Sequence, residues 1–265
     1  MIRLVASDID GTLIKDSTPD LYPEMEAAIG ELAQKGILFC AASGRQYFSI
    51  QNVFRNVQED MVIISENGAQ VSYRGESISL TLMKREYAEE IVHQLRAYGD
   101  TCDMVVSTPK GSLIESKNKE FIDLLTYGYR NRFTLVRDVL EEDAEIIKIA
   151  MYQKDSIRAL GEGILIPQWK DRVKVCMAGE EWVDFMDASV DKGNALSFVQ
   201  KYFGISREET MAFGDNNNDL GMMEAAAESY AVENARKEVL EAARYVCPSW
   251  LDKGVCQVIR DRLLS

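Results

Sequence analysis

The sequence is poor in the residues that several common kinds of functional site require. Its 265 residues include one histidine, His93, and five scattered cysteines with no CxxC pair. Histidine-based catalysis, a zinc site and a disulfide framework are therefore not expected. No apolar run approaches the ~20 residues that span a bilayer. The first residues also lack a basic stretch followed by a signal-type apolar run. These absences predict a cytoplasmic protein.

Basic residues are outnumbered by acidic ones. Lysine and arginine number 30 against 43 aspartates and glutamates, which gives a formal net charge of -13. Such a surface repels phosphate backbones, so neither nucleic acid nor an anionic membrane is expected as a partner. It also repels a phosphorylated metabolite, so a phosphate site would have to be built locally from a cation and directed backbone amides. The oligomeric state cannot be read from the sequence.

Strand and helix signals alternate at both ends of the chain. Short apolar runs at 2–6, 37–42 and 62–65 predict buried strands with helices between them, and the alternation returns after residue 192. This pattern predicts an α/β fold, a Rossmann-like doubly wound parallel sheet. Ligands bind such sheets at the carboxyl ends of the strands, and polar residues follow the predicted strands directly.

The middle of the chain has a different pattern. Two predicted hairpins, at 104–116 and 173–186, indicate antiparallel strands. We therefore predict an inserted α+β cap domain over 81–187. The core domain is then discontinuous, with a first segment at 1–80 and a second at 188–265.

Two acidic motifs each follow a strand signal. Asp8 and Asp10 belong to Asp-Ile-Asp-Gly-Thr, and Asp215 and Asp219 belong to Gly-Asp-Asn-Asn-Asn-Asp. Four acids gathered at strand ends would repel one another unless a divalent cation lay among them. Because carboxylate oxygens suit magnesium, Mg²⁺ is the predicted cofactor.

Two further motifs are weaker on their own. Ser43-Gly44-Arg45 supplies a hydroxyl and free amides at a strand end, which suits phosphate oxygens. A serine-glycine pair in this position is often only a turn. Lys192 begins a predicted helix, and most lysines are solvated surface residues.

Taken in order, these motifs resemble the haloacid dehalogenase superfamily of aspartate-nucleophile hydrolases, and more narrowly its Cof-type phosphatase branch. The resemblance covers essentially the whole chain and rests on the stretches 8–13, 42–45, 66–69, 192–196, 214–223 and 252–255. One departure is Glu233-Asn234-Ala235, where the branch usually has Gly-Asn-Ala. It bears on the shape of that loop.

The resemblance implies roles for the acidic residues. Asp8 is the expected nucleophile, and Asp10 the acid that protonates the leaving oxygen and then activates water. The expected magnesium ligands are the Asp8 carboxylate, the Asp10 main-chain carbonyl and Asp215. Asp219 is expected either to join the metal site or to orient Lys192.

The remaining roles concern the phosphoryl group. Ser43 and Lys192 are expected to hold it, as a hydrogen-bond donor and a fixed positive charge. Further phosphate or substrate contacts are expected from Gly11, Gly44, Arg45 and Asn218. Asn67 is expected to hold the contacting residues in place. The alternative for either asparagine is an amide that only stabilises its own loop.

The sequence thus predicts a magnesium-dependent phosphomonoester phosphatase that forms an aspartyl-phosphate and acts on a small phosphorylated metabolite. A sugar phosphate is the first expectation, ahead of a phosphorylated cofactor such as flavin mononucleotide or pyridoxal phosphate. Two alternatives stay open at this point: a phosphosugar mutase and a catalytically idle phosphometabolite-binding protein.

Overall fold

The chain folds into two compact units. The computed structural model describes residues 1–15, 20–57, 59, 61–99 and 101–265. Met1–Ser79 and Asp191–Ser265 form one unit, here called the core unit, and Leu80–Val190 form the other, here called the inserted unit. The cap domain predicted at 81–187 falls inside the inserted unit.

The described residues contain short strands and helices throughout. The strands are β1 (Leu4–Ser7), β2 (Leu38–Ala42), β3 (Val62–Ser65), β4 (Gln70–Tyr73), β5 (Glu76–Leu80), β6 (Asp103–Thr108), β7 (Gly111–Ile114), β8 (Phe133–Leu135), β9 (Lys148–Tyr152), β10 (Lys174–Met177), β11 (Trp182–Met186), β12 (Thr210–Gly214), β13 (Glu228–Val232) and β14 (Tyr245–Cys247). The helices are α1 (Pro23–Gln34), α2 (Tyr47–Val53), α3 (Arg85–Arg96), α4 (Lys119–Asp123), α5 (Arg158–Leu160), α6 (Ile166–Trp169), α7 (Lys192–Phe203), α8 (Leu220–Ala225), α9 (Lys237–Ala242) and α10 (Gly254–Ile259).

The core sheet has the order β14-β13-β12-β1-β2-β3-β4-β5. The six strands from β14 to β3 run parallel to their neighbours, and β4 turns back antiparallel to β3. The chain moves outward from β1 through β2 to β3, and later outward on the other side from β12 through β13 to β14. The direction of winding therefore reverses between β1 and β12, where a sheet of this kind leaves a crevice for ligands.

Both faces of the core sheet are covered because its strands are apolar at successive positions. Val5 packs into the layer that includes Met25 and Leu32 of α1. Its neighbours Leu4 and Ala6 point to the opposite face, where they pack into the layer that includes Leu196 of α7. Successive strand residues alternate between faces, so a sheet covered on both sides requires such continuous apolar runs.

The inserted unit has its own six-stranded sheet, in the order β10-β11-β9-β6-β7-β8. Its pairs are antiparallel except β7 with β8. Ile149 of β9 packs into a core that includes Ile91 of α3. Ala150 packs on the other face, in a core that includes Phe121 of α4. The unit thus has apolar cores on both faces of its sheet.

This architecture confirms the predicted fold class, a doubly wound parallel sheet with an inserted α+β unit. The hairpin of β4 and β5 and the strands β8 and β14 were not predicted. Within the described residues, no helix combines the length and the apolar character needed to cross a lipid bilayer.

Candidate active site

Two aspartates lie at the point where the winding of the core sheet reverses. Asp8 directly follows β1 and Asp215 directly follows β12, and these two strands pair in parallel register. The Asp8 amide donates to the Phe213 carbonyl at 3.0 Å, which ties the end of one strand to the other. Because parallel strands end at the same edge, residues 207 positions apart in the sequence become neighbours.

Lys192 brings a positive charge into this edge. It is the first residue of α7, and its side chain is 1% exposed. Its Nζ lies 2.6 Å from Asp8 Oδ1 and 2.7 Å from Asp219 Oδ1. Asp191 caps the same helix, since its side chain accepts from the Gly193 amide at 2.8 Å. The cap fixes the first turn of α7 and with it the direction in which the lysine leaves the helix.

Both carboxylate oxygens of Asp219 accept hydrogen bonds. Oδ1 accepts from Lys192, and Oδ2 accepts from the backbone amides of Asp215 and Asn216, each at 3.0 Å. Asp219 is fully buried. Of its two expected roles, this arrangement favours orienting Lys192, while the residue also shapes the turn that presents Asp215.

The cluster of carboxylates fits a divalent cation. Asp8, Asp215 and Asp219 each offer an oxygen within 4.8 Å of the other two. Burial raises the pKa of Asp8 well above its usual range, although Lys192 opposes the shift. Burial and the charge of Asp219 raise the pKa of Asp215 to about 6. Both shifts express mainly the cost of burying a negative charge and also the repulsion between the carboxylates, and a bound cation would relieve both. All the side-chain donors are oxygens, which suits Mg²⁺.

The same electrostatics keep Lys192 charged. Burial alone would disfavour its ammonium form, but the charges of Asp219 and Asp8 outweigh burial and raise the pKa of the lysine above its usual range. A charged ammonium is the state that can hold a phosphoryl group.

The loop after Asp8 is closed around Asp215. Gly11 has φ +79°, and a Cβ there would lie 2.6 Å from Asp215 Oδ2, so only glycine fits. The Thr12 hydroxyl donates to Asp215 Oδ1 at 2.9 Å. The Asn234 side chain donates to the Gly11 carbonyl at 2.7 Å. Asn234 therefore keeps a contact with this loop although its preceding residue departs from the family pattern.

Ser43, Gly44 and Arg45 follow β2 and are anchored to the turn after β3. The Asn67 amide donates to the Ser43 carbonyl and the Glu66 amide to the Arg45 carbonyl, each at 3.0 Å. The Arg45 side chain points to Asp10, with Nε 2.7 Å from Oδ2 and Nη2 2.5 Å from Oδ1. The guanidinium expected to contact phosphate thus binds a carboxylate of the site.

Asn67 and Asn218 also meet. The Asn218 side-chain amide donates to Asn67 Oδ1 at 3.0 Å. Asn67 is 3% exposed with φ 58°, in the left-handed region that asparagine tolerates better than most residues. A Cβ on Gly44 would come 3.1 Å from Asn67 Oδ1, so the glycine lets the two loops approach closely.

The structure places the predicted site residues in two linked groups. One is the charge cluster of Asp8, Asp215, Asp219 and Lys192. The other is the set of loops after β2 and β3, which reaches the first through Asp10 and Asn218. Thr12, Asp191 and Asn234 were not predicted to support the site. Thr12 and Asp191 stand beside predicted residues in the sequence, which is the signal that was available for them.

A comparison with family models matches residues 5–259 to the haloacid dehalogenase-like hydrolases. The chain is 26% identical over 265 residues to a 5-amino-6-(5-phospho-D-ribitylamino)uracil phosphatase of Escherichia coli, covering 100% of this chain and 97% of that protein. It is also 26% identical over 240 residues to an HMP-PP phosphatase of Serratia proteamaculans, covering 89% and 85%.

Solved structures agree with these matches. A crystal structure from Eubacterium rectale superposes with a TM-score of 0.87 at 33% identity, covering 99% of both chains. The two relatives above are named for different substrates, so similarity alone does not single out one metabolite.

Proposed function

Because the chain belongs to the haloacid dehalogenase-like hydrolases and is a phosphoric monoester hydrolase of the Cof type, we propose that it is a magnesium-dependent phosphatase that works through an aspartyl-phosphate on Asp8. One observation carries the proposal. Asp8 stands at the end of β1, 2.6 Å from the buried ammonium of Lys192 and within the acidic cluster. A nucleophilic carboxylate, a fixed positive charge and a cation site are the parts that phosphoryl transfer requires.

In the first proposed step, a carboxylate oxygen of Asp8 bonds to phosphorus while the bond from phosphorus to the leaving oxygen breaks. Asp10 gives its proton to that leaving oxygen, which departs as an alcohol. Lys192 balances negative charge on the phosphoryl oxygens, and Ser43, which follows β2, adds a hydroxyl donor.

In the second proposed step, water attacks the phosphorus of the aspartyl-phosphate. Asp10 takes a proton from the water, the bond from phosphorus to Asp8 breaks, and inorganic phosphate leaves. Asp10 is then protonated again for the next cycle. Release of inorganic phosphate distinguishes this reaction from the mutase alternative, in which the phosphoryl group passes to a second substrate.

Magnesium would be held by the carboxylates of Asp8 and Asp215 and by the main-chain carbonyl of Asp10, with Asp219 behind them. When bound, Mg²⁺ supplies positive charge against the phosphoryl oxygens. The support for this part is the oxygen-only donor set and the raised pKa values of Asp8 and Asp215.

The proposed substrate is a small phosphorylated metabolite, with a sugar phosphate first. The Escherichia coli relative is named for a phosphate on a ribityl chain, which supports a polyhydroxylated leaving group. We propose that the inserted unit selects this leaving group, because the residues of the charge cluster all belong to the core unit. The net charge of -13 argues against nucleic acid and anionic membranes as partners. The five free thiols accord with the proposed cytoplasmic location.

Replacing the nucleophile tests the chemistry. Asp8→Asn is expected to lower turnover of p-nitrophenyl phosphate by at least about 10³-fold, as for other covalent nucleophiles. Borohydride trapping followed by peptide mass analysis should find the modified carboxyl group at Asp8 in the wild type only. Asp123→Asn, a carboxylate in an exposed ion pair with Lys119, is the control and should retain full turnover. A tenth of wild-type activity in Asp8→Asn would contradict the mechanism.

Metal removal tests the cofactor. EDTA is expected to abolish turnover and Mg²⁺ to restore it, while circular dichroism shows the fold unchanged because the core does not depend on the ion. Asp215→Asn should weaken the Mg²⁺-induced rise in melting temperature, since it removes one carboxylate of the cluster. Full turnover in exhaustively chelated buffer would refute the magnesium proposal.

A further inference from the structure

The contact between Arg45 and Asp10 has a geometry that fixes a carboxylate in space. Two N–H groups of one guanidinium meet the two oxygens of one carboxylate, at 2.7 Å and 2.5 Å. Such a paired arrangement sets the plane of the carboxylate as well as its position. The Arg45 side chain is 4% exposed and that of Asp10 27% exposed, so the arginine is the buried and better fixed partner.

We infer that Arg45 is the positioning residue of Asp10, and that it serves the acid-base group of the site rather than binding the substrate phosphate. The inference rests on the proposed function, in which Asp10 protonates the leaving oxygen. A proton donor must lie within about 2.6–3.2 Å of the atom it serves, so the orientation of this carboxylate bears directly on the rate of the first step.

Arg45 is itself held by a rigid base. Its amide donates to Ser43 Oγ at 3.1 Å, and its carbonyl accepts from the Glu66 amide at 3.0 Å. Glu66 and Asn67 both have positive φ, 50° and 58°, and both are buried. Two successive non-glycine residues in this region cost backbone energy, which the surrounding structure must offset. The strained turn thus fixes the arginine backbone, and the arginine side chain fixes Asp10.

Moving the guanidinium to the substrate would be costly. It would have to leave a carboxylate that it meets through two hydrogen bonds. Separating the pair would deprive a buried guanidinium and a partly buried carboxylate of each other's charge. Lys192, by contrast, stands directly beside the Asp8 carboxylate. The cluster therefore already has a cation for the phosphoryl group without Arg45.

Leaving-group dependence separates the two roles of Arg45. We would measure kcat/KM with Mg²⁺ for 2,4-dinitrophenyl, p-nitrophenyl and phenyl phosphate in the wild type, Asp10→Asn, Arg45→Met and Arg45→Lys. Poor leaving groups need the proton most. The kcat/KM of Arg45→Met should therefore fall about 10–100-fold for phenyl phosphate and less than about threefold for 2,4-dinitrophenyl phosphate. Asp10→Asn should show the same trend with larger losses.

A double-variant cycle completes the test. If Arg45 acts through Asp10, Arg45→Met should cause little further loss in the Asp10→Asn background. The inhibition constant of inorganic phosphate should rise less than threefold in Arg45→Met. A rise of tenfold or more, or the same loss of kcat/KM for all three esters, would overturn the inference and make Arg45 a phosphate ligand.

The proposed function is tested separately in the same experiment. If Asp10→Asn loses the same factor of kcat/KM for all three esters, the acid role of Asp10 is wrong, and the inference is overturned with it. If Asp10→Asn shows the trend and both Arg45 variants do not, the inference alone is wrong. Arg45→Lys keeps the charge but loses the paired geometry, so it decides the outcome if Arg45→Met does not fold.

Discussion

Lys192 is a buried lysine whose charge depends on its neighbours. The lysine side chain is 1% exposed, and its charge is balanced by two carboxylates at 2.6 Å and 2.7 Å. Both of those carboxylates, from Asp8 and Asp219, are also buried. The three side chains form a unit in which no member is tolerable alone. Removing one partner of such a group leaves uncompensated charge in the interior, which is the costly case for buried ion pairs.

We therefore expect Lys192→Met to destabilise the core unit by about 3–5 kcal/mol, because Asp8 and Asp219 would face each other without the ammonium. Urea unfolding followed by circular dichroism measures the change. Lys201→Met, at an exposed position of the same helix, is the matched control and should stay within about 0.5 kcal/mol of the wild type. Equal stability of the two variants would show that the buried lysine does not support the fold.

For single residues, the sequence predicted where functional residues lie but only some of their contacts, such as that of Asp219 with Lys192. Asp8, Ser43 and Asn67 were predicted from strand ends, because parallel strands bring their carboxyl ends to one edge. The pairing of Arg45 with Asp10, and that of Asn234 with Gly11, depend on how separate loops meet. No local spacing encodes such contacts, so they required the structure.

The helices of the core unit differ in how closely they approach their neighbours. In α1, a Cβ on Gly30 would meet nothing within 4 Å. In α7, a Cβ on Gly193 would lie 2.3 Å from the backbone carbon of Gly221. One glycine is therefore a conformational cost to its helix, and the other is what allows α7 and α8 to pack.

Alanine at these two positions should have opposite effects. Gly30→Ala is expected to stabilise the protein by about 0.5–1 kcal/mol, because it restricts the unfolded chain and adds helix propensity. Gly193→Ala is expected to destabilise it by about 1–3 kcal/mol, because backbone must move to admit the methyl group. Urea midpoints compare the two. A stabilising Gly193→Ala would mean that the contact with α8 is not close in solution.

The hairpin of β4 and β5 escaped prediction for a local reason. Its turn is Arg74-Gly75, and both residues have positive φ, 50° and 83°. Hairpin turns of this kind are recognised by Asn-Gly or Asp-Gly, since arginine is rarely found in the left-handed region. The apolar runs of β1, β2 and β3, in contrast, match the fully buried strands of a parallel sheet and were predicted.

Across the whole molecule, the inserted unit contains what an independent domain needs. All six strands of its sheet lie within Leu80–Val190, and apolar cores cover both faces of the sheet. None of these six described strands comes from the core unit. A segment that supplies all the strands of its sheet and buries its own apolar core can fold alone.

We expect residues 80–190, expressed alone, to unfold cooperatively on heating and to give dispersed amide signals in NMR spectra. Residues 1–79 are the control and should remain unfolded, because β1 then lacks its neighbour β12. A segment 80–190 without a cooperative transition would show that this unit depends on the rest of the chain.

The pairing of β1 with β12 also determines when the core sheet can form during synthesis. Leu4 cannot pair until Thr210, 206 positions later, has left the ribosome. At about 5–20 residues per second this delay is roughly 10–40 s, far longer than the time in which small domains fold. The inserted unit can be complete while β1, β2 and β3 still expose apolar faces and an open edge. If synthesis stops after Val190 has left the ribosome but before Thr210 has done so, the chain would therefore carry a folded inserted unit together with exposed apolar strands of the core unit, a state prone to aggregate.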